Sequence, residues 1–471
     1  MFAFAIYDIT KQKTFLVRDE TGIKPLYYSV SGEKLVFASE VKAFESLNYS
    51  YTENPDWKIY FLAFGHLPEP YTTYSEIAML PKANYLIWNH EDSSFAVNSF
   101  NTEETELKAN NENGVENEVR TLLKRSVERH LLSDAPIGVF LSGGVDSSII
   151  SLLAEEIRIE KNQKTKVNTL SINFEETAFS EQKYQEIISA KINSEHSNYT
   201  ITNTFFHKHL SSALNAMDQP STDGLNSWFV NYFAKKKGLK AVISGIGADE
   251  LFGGYPSFNR MKTVTRLMLL PASILKKGKF FKKSFLKRAY YLSYKNTVGQ
   301  YLFLRGICSP DEIAELLDVE IDYVDSVLSG INISAPKHLQ SNNLAGWMEF
   351  NMYMQNQLLK DTDTMSMHHG VEVRIPFLDK DFARLIQSLP SEIKFKGHIK
   401  KWFLIKTFIK ILPKAIWNRP KMGFTFPFQL WLQNENCLSN VKNQKASKFL
   451  SSFKTGKLHW SKALAIYIVF K

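Results

Sequence analysis

The stretch that most constrains the fold is residues 136–150, PIGVFLSGGVDSSII. An apolar, β-branched run breaks into Ser-Gly-Gly, and one carboxylate and two hydroxyls follow before an apolar segment resumes. This order predicts a buried strand, a tight loop and a helix amino terminus. The glycines and the helix start turn N–H groups outward, which suits a phosphate chain. Asp146 would repel bare phosphates, so we expect it to hold Mg²⁺ against them. The alternative is a glycine-rich strand-to-helix turn with an acidic cap.

A second segment, residues 241–255, AVISGIGADELFGGY, repeats this design about a hundred residues later. It reads as strand, glycine-containing turn, paired acids and a second glycine pair. Between the two segments, residues 167–174 predict another strand and residues 180–191 a helix. This alternation predicts an α/β fold with a parallel sheet. Because ligands bind such sheets at the carboxyl ends of the strands, Asp146 and Asp249 are expected to converge on one Mg²⁺.

Four motifs in order carry a family resemblance. The loop SGGVDSS at 142–148 resembles the pyrophosphate loop of the ATP pyrophosphatases. Residues 244–255, residues 358–379 (LLKDTDTMSMHHGVEVRIPFLD) and residues 419–427 (RPKMGFTFP) resemble signatures of the glutamine-dependent asparagine synthetases. The resemblance implies a parallel-sheet, adenine-nucleotide α-hydrolase-like synthetase domain with a helical carboxyl-terminal part, preceded by a β-rich, Ntn-type glutaminase domain.

The resemblance also implies site residues. The ATP-binding positions would be Phe140, Leu141, Ser142, Gly143, Gly144, Asp146, Ser147, Ser148, Ile172, Ser244 and Gly245. The loop would hold the β- and γ-phosphates, while Phe140, Leu141, Ile172, Ser244 and Gly245 would cradle adenine and ribose.

Lysines and a further group of charged residues complete the expected site. Lys401 and Lys421 would offset charge on the transferring phosphorus and form the catalytic set with Asp249. The alternative for either lysine is an ordinary surface position. A last group of charged residues has two equally weighted interpretations. They bind the acceptor or nucleotide, or they form a structural cluster of ion pairs; the residues are Asp363, Glu372, Arg374 and Asp379.

The implied reaction uses ATP and Mg²⁺ to adenylylate a carboxylate, and ammonia then displaces AMP to give an amide. Aspartate is the leading acceptor. The family often has an acidic residue where Ile246 stands, and residues 217–226 and 359–363 look more like members associated with surface polysaccharides. Two alternatives therefore stay open: a carboxylate-activating ligase on another acceptor, such as a sugar acid, and a non-catalytic remnant kept for binding.

The amino-terminal residues resemble the middle and rear of the glutaminase domain. In the family, catalysis by this domain starts from a cysteine directly after the initiator Met, where this sequence has Phe2. The two cysteines, Cys308 and Cys437, read as small hydrophobic residues. We therefore expect a truncated glutaminase domain without glutaminase activity, and ammonia supplied free or by a separate glutaminase.

Composition excludes other classes. A hydrophobic content of 44% and a charged content of 22% are typical of a soluble globular protein. Two cysteines and no signal peptide predict a cytoplasmic location. The apolar runs at 267–270 and 463–470 are too short to span a membrane and read as core segments.

The net charge of +9 has a local source, residues 276–291, where lysines alternate with aromatic residues. Nucleic acid, anionic lipid or a polyanionic partner could bind there. A solvated amphipathic helix is the favoured interpretation, and we expect no nucleic-acid partner.

The expected organisation is a partial glutaminase domain at 1–100, a polar linker at 101–113 and a synthetase domain at 114–471. Within the latter, a helix runs from about Val115 to Leu132, a nucleotide-binding core spans about 133–255, and residues 256–471 are mainly helical. The sequence leaves the oligomeric state, a homodimer included, open.

Overall fold

A computed structural model describes residues 1–47, 49–100, 112–434, 438 and 441–471. The predicted linker at 101–113 lies outside the described residues except for its last two positions, and Cys437 lies outside them as well. None of the helices in this described part is both long enough and apolar enough to cross a bilayer.

The amino-terminal part is built from two antiparallel sheets. Its strands are β1 Ala3–Asp8, β2 Lys13–Arg18, β3 Tyr27–Ser31, β4 Lys34–Ala38, β5 Ala78–Met79, β6 Asn84–Asn89 and β7 Phe95–Ser99. One sheet has the order β1-β2-β6-β7 and the other β4-β3-β5. Leu16, Leu86 and Trp88 alternate inward and join Leu26 and Leu80 in a small core. The β-rich amino-terminal region is as expected.

Two helices interrupt these strands, α1 Lys42–Glu45 and α2 Trp57–Phe64. Helix α2, with sequence WKIYFLAF, is apolar on nearly all sides and is buried in the main core of the molecule. Backbone N–H groups of Ile307 and Cys308 donate to the carbonyls of Ala63 and Leu62 at its end. This helix therefore joins the amino-terminal part to the helices of the carboxyl-terminal part.

The second part contains one five-stranded parallel sheet, which confirms the predicted fold class. Its strands are β8 Ile137–Phe140, β9 Asn168–Phe174, β10 Glu195–Ile201, β11 Ala241–Ile243 and β12 Glu372–Arg374. Their order is β10-β9-β8-β11-β12, with every pair parallel. The chain steps outward from β8 through β9 to β10 and then returns to the other side of β8 with β11. The reversal point between β8 and β11 is where open α/β sheets bind ligands.

Helices cover both faces of this sheet and make up most of the remaining chain. Those before β12 are α3 Glu112–His130, α4 Val145–Glu160, α5 Gln182–Lys191, α6 Asn203–Ala216, α7 Leu225–Lys236, α8 Ala248–Phe252, α9 Pro256–Leu267, α10 Ala272–Leu275, α11 Ser284–Lys287, α12 Thr297–Arg305, α13 Pro310–Leu317, α14 Ile321–Ser329, α15 Ser341–Met348 and α16 Leu359–Met367. Those after it are α17 Lys380–Ser388, α18 Ser391–Lys394, α19 Trp402–Phe408, α20 Lys414–Trp417, α21 Phe428–Asn434, α22 Gln444–Lys454 and α23 Trp460–Phe470. A π-helix, Glu349–Leu358, joins α15 to α16, and short 3₁₀ turns occupy Thr177–Phe179, Lys276–Phe280, Arg288–Tyr294 and Pro376–Leu378.

One expectation for the carboxyl-terminal part is wrong and another holds only in part. Residues 276–291 do not form one amphipathic helix but a chain of short turns, in which Gly278 packs against the backbone of Tyr290 and Lys287. Of residues 267–270, Leu267 and Met268 pack against the main core, whereas Leu269 is 84% exposed and Leu270 37% exposed. The other apolar run, 463–470, does lie in a helix, α23, whose buried face packs into the main core.

The helix behind the glycine loop, α4, is buried on all sides along its middle and is exposed only in its last turn. Leu153 in the buried stretch is fully buried, while Ile159 in the last turn is 59% exposed. We expect Leu153→Ala to lower the free energy of unfolding by about 2–5 kcal/mol, because the cavity left in the core cannot collapse fully.

Urea unfolding of the full chain measures this change, with Ile159→Ala as the matched control. The control should change stability by no more than about 0.5 kcal/mol. Equal losses of stability in the two variants would contradict the assignment of Leu153 to the core and of Ile159 to the surface.

Candidate active site

Two aspartates meet at the reversal point of the parallel sheet. Asp146 lies in the first turn of α4, directly after β8 and its glycine loop. Asp249 lies in the first turn of α8, directly after β11 and a second glycine loop. Because β8 and β11 are paired parallel neighbours, both carboxylates emerge at the same edge of the sheet.

A single ammonium joins the two carboxylates. The Nζ atom of Lys401 lies 2.7 Å from both carboxylate oxygens of Asp146 and 2.7 Å from Oδ1 of Asp249. Lys401 is only 6% exposed. Its backbone is in the left-handed region, with φ of 57°, which non-glycine residues rarely adopt and which clusters at functional sites.

A second lysine contacts the same oxygen of Asp249 as Lys401 does. Lys421 Nζ donates to Asp249 Oδ1 at 2.6 Å and to the carbonyl of Gly254 at 3.2 Å. A Cβ atom on Gly254 would collide with the Asp249 carboxylate, and one on Gly245 would press against Asp146 at 3.0 Å. The glycines of the second loop are therefore needed for the two acids to approach the backbone closely.

The charges of this cluster depend on one another. Burial by itself raises the pKa of Asp249, but Lys401 and Lys421 together hold that pKa well below its ordinary value. Burial also raises the pKa of Asp146, and Lys401 only partly opposes this. Burial lowers the pKa of Lys401, but the two carboxylates outweigh burial and hold the pKa above its ordinary value. The pair of acids is thus arranged to share one cation.

A cavity of about 680 Å³ opens beside this cluster. Most of the residues expected at the site line it: Phe140, Leu141, Ser142, Asp146, Ser147, Ile172, Ser244, Gly245, Asp249 and Lys421. The cavity has the size and the mixed apolar and polar lining of a nucleotide-sized ligand site.

Three residues of the phosphate loop, Gly143, Gly144 and Ser148, do not line the cavity. The Gly144 N–H donates to Ser142 Oγ at 3.3 Å, and Ser148 is fully buried behind the loop. Ser142 also donates its N–H to Ser147 Oγ at 3.1 Å. The loop is therefore internally hydrogen-bonded, and the surface it shows to the cavity comes from Ser142, Asp146 and Ser147.

The four residues predicted as an acceptor site or an ion-pair cluster, all in the third motif, do not form one cluster. Asp363 pairs with Lys24 of the amino-terminal part at 2.7 Å. Arg374 binds Glu372 at 3.0 Å and donates to the carbonyls of His130 and Leu132.

Asp379, the fourth, caps α17 and pairs with Arg129. None of the four lines the cavity. These contacts favour the structural interpretation over acceptor binding.

Sequence reasoning missed the far end of the cavity, where Arg305 is the central side chain. Arg305 binds Glu349 at 2.6 Å, and its guanidinium lies 3.4 Å from the ring centre of Tyr353 and 4.5 Å from that of Tyr255. Tyr255 donates to Glu250 at 2.7 Å. The acid-free run that contains Arg305 gave no local signal, since its partners are distant in sequence: Tyr255 caps α9, and Glu349 and Tyr353 belong to the π-helix.

Acidic and amide groups complete this far end. Asp223 accepts from Asn226 at 3.1 Å, and burial raises the pKa of the Asp223 carboxyl. The side-chain carbonyl oxygens of Asn226 and Asn231 have no hydrogen-bond partner among the described residues. Arg305 is neutralised by Glu349, so Asp223 and Glu250 leave this end acidic and rich in free acceptors.

The side chains of this site could bind a divalent cation only if a bound nucleotide supplied further oxygen ligands. No group of three or more His, Cys, Asp or Glu side chains within the described residues could hold a metal by itself. Asp146 and Asp249 nevertheless already share one cation, and Mg²⁺ in nucleotide sites is typically bound by one or two carboxylates plus phosphate oxygens.

Comparison with known sequences now decides the family. Residues 118–458 match the asparagine synthase family, and residues 1–100 match the glutamine amidotransferase domain. The chain belongs to the asparagine synthase family. It is accordingly an ATP-dependent, amide-forming carbon–nitrogen ligase with an amino-terminal glutamine amidotransferase region.

Several curated relatives align along nearly the whole chain. Asparagine synthetase [glutamine-hydrolyzing] 1 of Bacillus subtilis is 29% identical over 92% of this chain and 69% of its own length. A putative asparagine synthetase [glutamine-hydrolyzing] of Mycobacterium tuberculosis is 26% identical over 92% of this chain and 68% of its own length. The amidase chry2 of Gibberella zeae is 22% identical over 91% of this chain and 70% of its own length. The proteins similar to this chain thus carry names for different activities.

Glu250 gives the site a pH-dependent contribution to stability. It is 2% exposed, and burial, followed by the Asp249 charge, raises the pKa of its carboxyl from 4.5 to about 7. The stability that the neutral form contributes is fully present below pH 4.5 and is lost as the pH rises through about 7. The free energy of unfolding should therefore fall by about 3 kcal/mol on this account.

Glu250→Gln keeps an acceptor for Tyr255 but removes the titration. We expect unfolding measured between about pH 5 and pH 8 to show a shallower loss of stability in this variant. The exposed control Glu315→Gln should reproduce the unmodified profile. A Glu250→Gln profile as steep as that of the unmodified chain would rule out this role.

Proposed function

We propose that this protein adenylylates a carboxylate with ATP and then transfers the acyl group to ammonia, with aspartate as acceptor and asparagine as product. The observation that carries the proposal is the convergence of Asp146 and Asp249 on Lys401 beside the cavity, at the reversal point of the parallel sheet. A reaction that separates pyrophosphate from an adenylate needs charge compensation at that point.

ATP would lie along the strand ends with its phosphates toward the acidic pair. Phe140, Leu141 and Ile172 offer apolar surface to adenine, and Ser244 and Gly245 offer polar backbone and hydroxyl groups to the ribose. Ser142 and Ser147 would meet the phosphate chain. In this placement Lys421, which lines the cavity, would face the phosphates, whereas Lys401 does not line the cavity and would act through its contacts with Asp146 and Asp249.

Asp146 and Asp249 would hold Mg²⁺, which supplies charge neutralisation of the pyrophosphate leaving group when it is bound. The lysine ammonium groups that now lie on these carboxylates would then face the phosphates. This exchange keeps every buried charge compensated, with or without nucleotide.

The proposed reaction has two steps. An oxygen of the acceptor carboxylate attacks the α-phosphorus, the bond to the bridging oxygen breaks, and pyrophosphate leaves with that electron pair. The nitrogen of ammonia then attacks the acyl carbon of the acyl-adenylate, AMP leaves with its oxygen, and the nitrogen loses a proton. Lys401 and Lys421 would stabilise the charge that builds on the phosphoryl oxygens in the first step.

The far end of the cavity supports an acceptor that carries an amino group. Asp223 and Glu250 give it a surplus of acidic groups, and two amide carbonyls await a donor. An ammonium group would compensate Asp223, whereas a sugar acid would bring hydroxyls but no positive charge. Ile246, which lines the cavity, offers nothing to an amine, so the amino group is expected to meet Asp223 instead.

We propose that ammonia arrives free or from a separate glutaminase. Cys308, the described cysteine, is fully buried, and burial raises the pKa of its thiol to about 12. A buried neutral thiol does not provide a glutaminase nucleophile. Ammonium is therefore expected to be the working nitrogen donor for this chain.

Exchange of radiolabelled pyrophosphate into ATP tests the first step. Aspartate should support exchange, and added ammonium should then give asparagine and AMP. Lys401→Met should lower exchange by at least about 100-fold, because the variant loses the ammonium that Asp146 and Asp249 share beside the cavity.

The control is Lys410→Met, an exposed lysine with no ion pair among those described, which should exchange like the unmodified chain. Thermal unfolding confirms that both variants remain folded. Equal exchange rates in the two variants would exclude the proposed role, and absence of exchange with every carboxylate would favour the remnant.

Comparison of aspartate with succinate tests the acceptor. Succinate lacks the amino group and should support little exchange. Asp223→Asn should raise the KM for aspartate by at least about tenfold and leave the KM for ATP unchanged, because the variant cannot compensate an ammonium. The exposed control Asp134→Asn should change neither constant. Equal use of aspartate and succinate would point to another acceptor, such as a sugar acid.

A further inference from the structure

The excess of basic over acidic residues in this protein comes from one region. Between Glu250 and Asp311 the sequence contains twelve lysines and arginines and no acidic residue. This exceeds the net charge of +9, so the rest of the chain is slightly acidic. We define residues 266–288, RLMLLPASILKKGKFFKKSFLKR, as the basic apolar segment.

The same segment exposes its large hydrophobic side chains. Leu269, at 84% exposure, and Phe280, at 76%, are the two most exposed large hydrophobic residues in the described chain. Ile274 and Phe281 are about half exposed, and Leu270 and Leu286 also reach solvent. Such a concentration of exposed apolar groups marks an interaction surface.

The fold holds these groups outward. Helix α9 ends at Leu267, and Lys295 Nζ donates to the carbonyls of Met268 and Leu270, which fixes the turn that carries Leu269. Tyr290 and Tyr291 are buried beneath the segment. The exposed side chains therefore belong to a segment whose backbone packs against buried residues.

Some lysines of the segment form ion pairs within the protein and others do not. Lys276 pairs with Asp325 at 3.2 Å, and Lys287 with Asp311 at 3.0 Å. The remaining lysines have no acidic partner among the described residues; they are Lys277, Lys279, Lys282 and Lys283. They are interleaved with Phe280 and Phe281, so cationic and apolar groups reach the same surface.

We propose that the basic apolar segment docks this protein peripherally on the surface of an anionic lipid bilayer. Lysines would contact the headgroups, while Leu269, Phe280 and their neighbours enter the boundary with the acyl chains. Exposed leucine and isoleucine side chains match this depth of insertion but add nothing to base stacking, so the composition favours a membrane over a nucleic acid. The attachment does not depend on the synthetase chemistry.

Flotation of the full chain with vesicles tests the proposal. Vesicles of phosphatidylcholine with phosphatidylglycerol should bind the protein in a salt-sensitive manner, and vesicles of phosphatidylcholine alone should not. The triple variant Lys277→Glu, Lys282→Glu and Lys283→Glu should weaken binding by at least about tenfold. The double variant Leu269→Ser and Phe280→Ser should also weaken it but keep the salt sensitivity.

Matched controls change equally exposed residues elsewhere. The triple variant Lys410→Glu, Lys414→Glu and Lys448→Glu, and the double variant Ile9→Ser and Ile159→Ser, should bind vesicles like the unmodified chain. Thermal unfolding of each variant reports whether it stays folded, independently of pyrophosphate exchange.

Three outcomes would overturn the proposal. They are equal binding to both kinds of vesicle, equal losses in the control variants, and binding to a single-stranded oligonucleotide in place of vesicles.

Discussion

The structure depends on two mostly buried carboxylates that share one ammonium. Asp146 and Asp249 are drawn from different strand–helix units, and each would repel the other without a cation between them. Lys401 supplies that cation from a position 255 residues after Asp146. Because a broken buried ion pair is strongly destabilising, this contact fixes the closing segment of the chain against the sheet. The same arrangement would be ready for the charges of a nucleotide.

Much of this could be predicted from sequence because the decisive features are local. A strand, a glycine turn and an acid at a helix start fit within a dozen residues, so the loops at 142–148 and 244–250 reveal both the sheet and its ligand edge. The convergence of Asp146 and Asp249 followed from the rule that parallel strands present their carboxyl ends together. The neighbours of these loops in the cavity were predicted mainly through the family resemblance.

The features that could not be predicted from sequence depend on contacts between segments that are distant in the chain. Strand β12 has three residues, two of them charged, and joins the edge of the sheet through pairing with β11, a contact that its local sequence does not indicate. Strand β10 reads as polar because it lies at an edge. The turns of 276–291 were mistaken for a helix because lysine spacing resembles an amphipathic pattern, whereas Gly278 packs against the backbone of Leu286 and Lys287. Arg305 and Asp223 meet only when α7, α12 and the π-helix are packed together.

The two ends of the cavity differ in how far a substitution would disturb the fold. The nucleotide end is assembled from backbone loops, where Gly245 and Gly254 have almost no room for a side chain, so its chemistry is tied to the sheet. The end around Arg305 depends on side chains from separate elements, where one substitution changes charge without moving a strand. Ile246 belongs instead to the loop after β11, between Gly245 and Gly247, and lines the cavity without offering a charge. If the end around Arg305 binds the acceptor as proposed, Asp223, Glu250 and Arg305 identify the acceptor better than the motifs do.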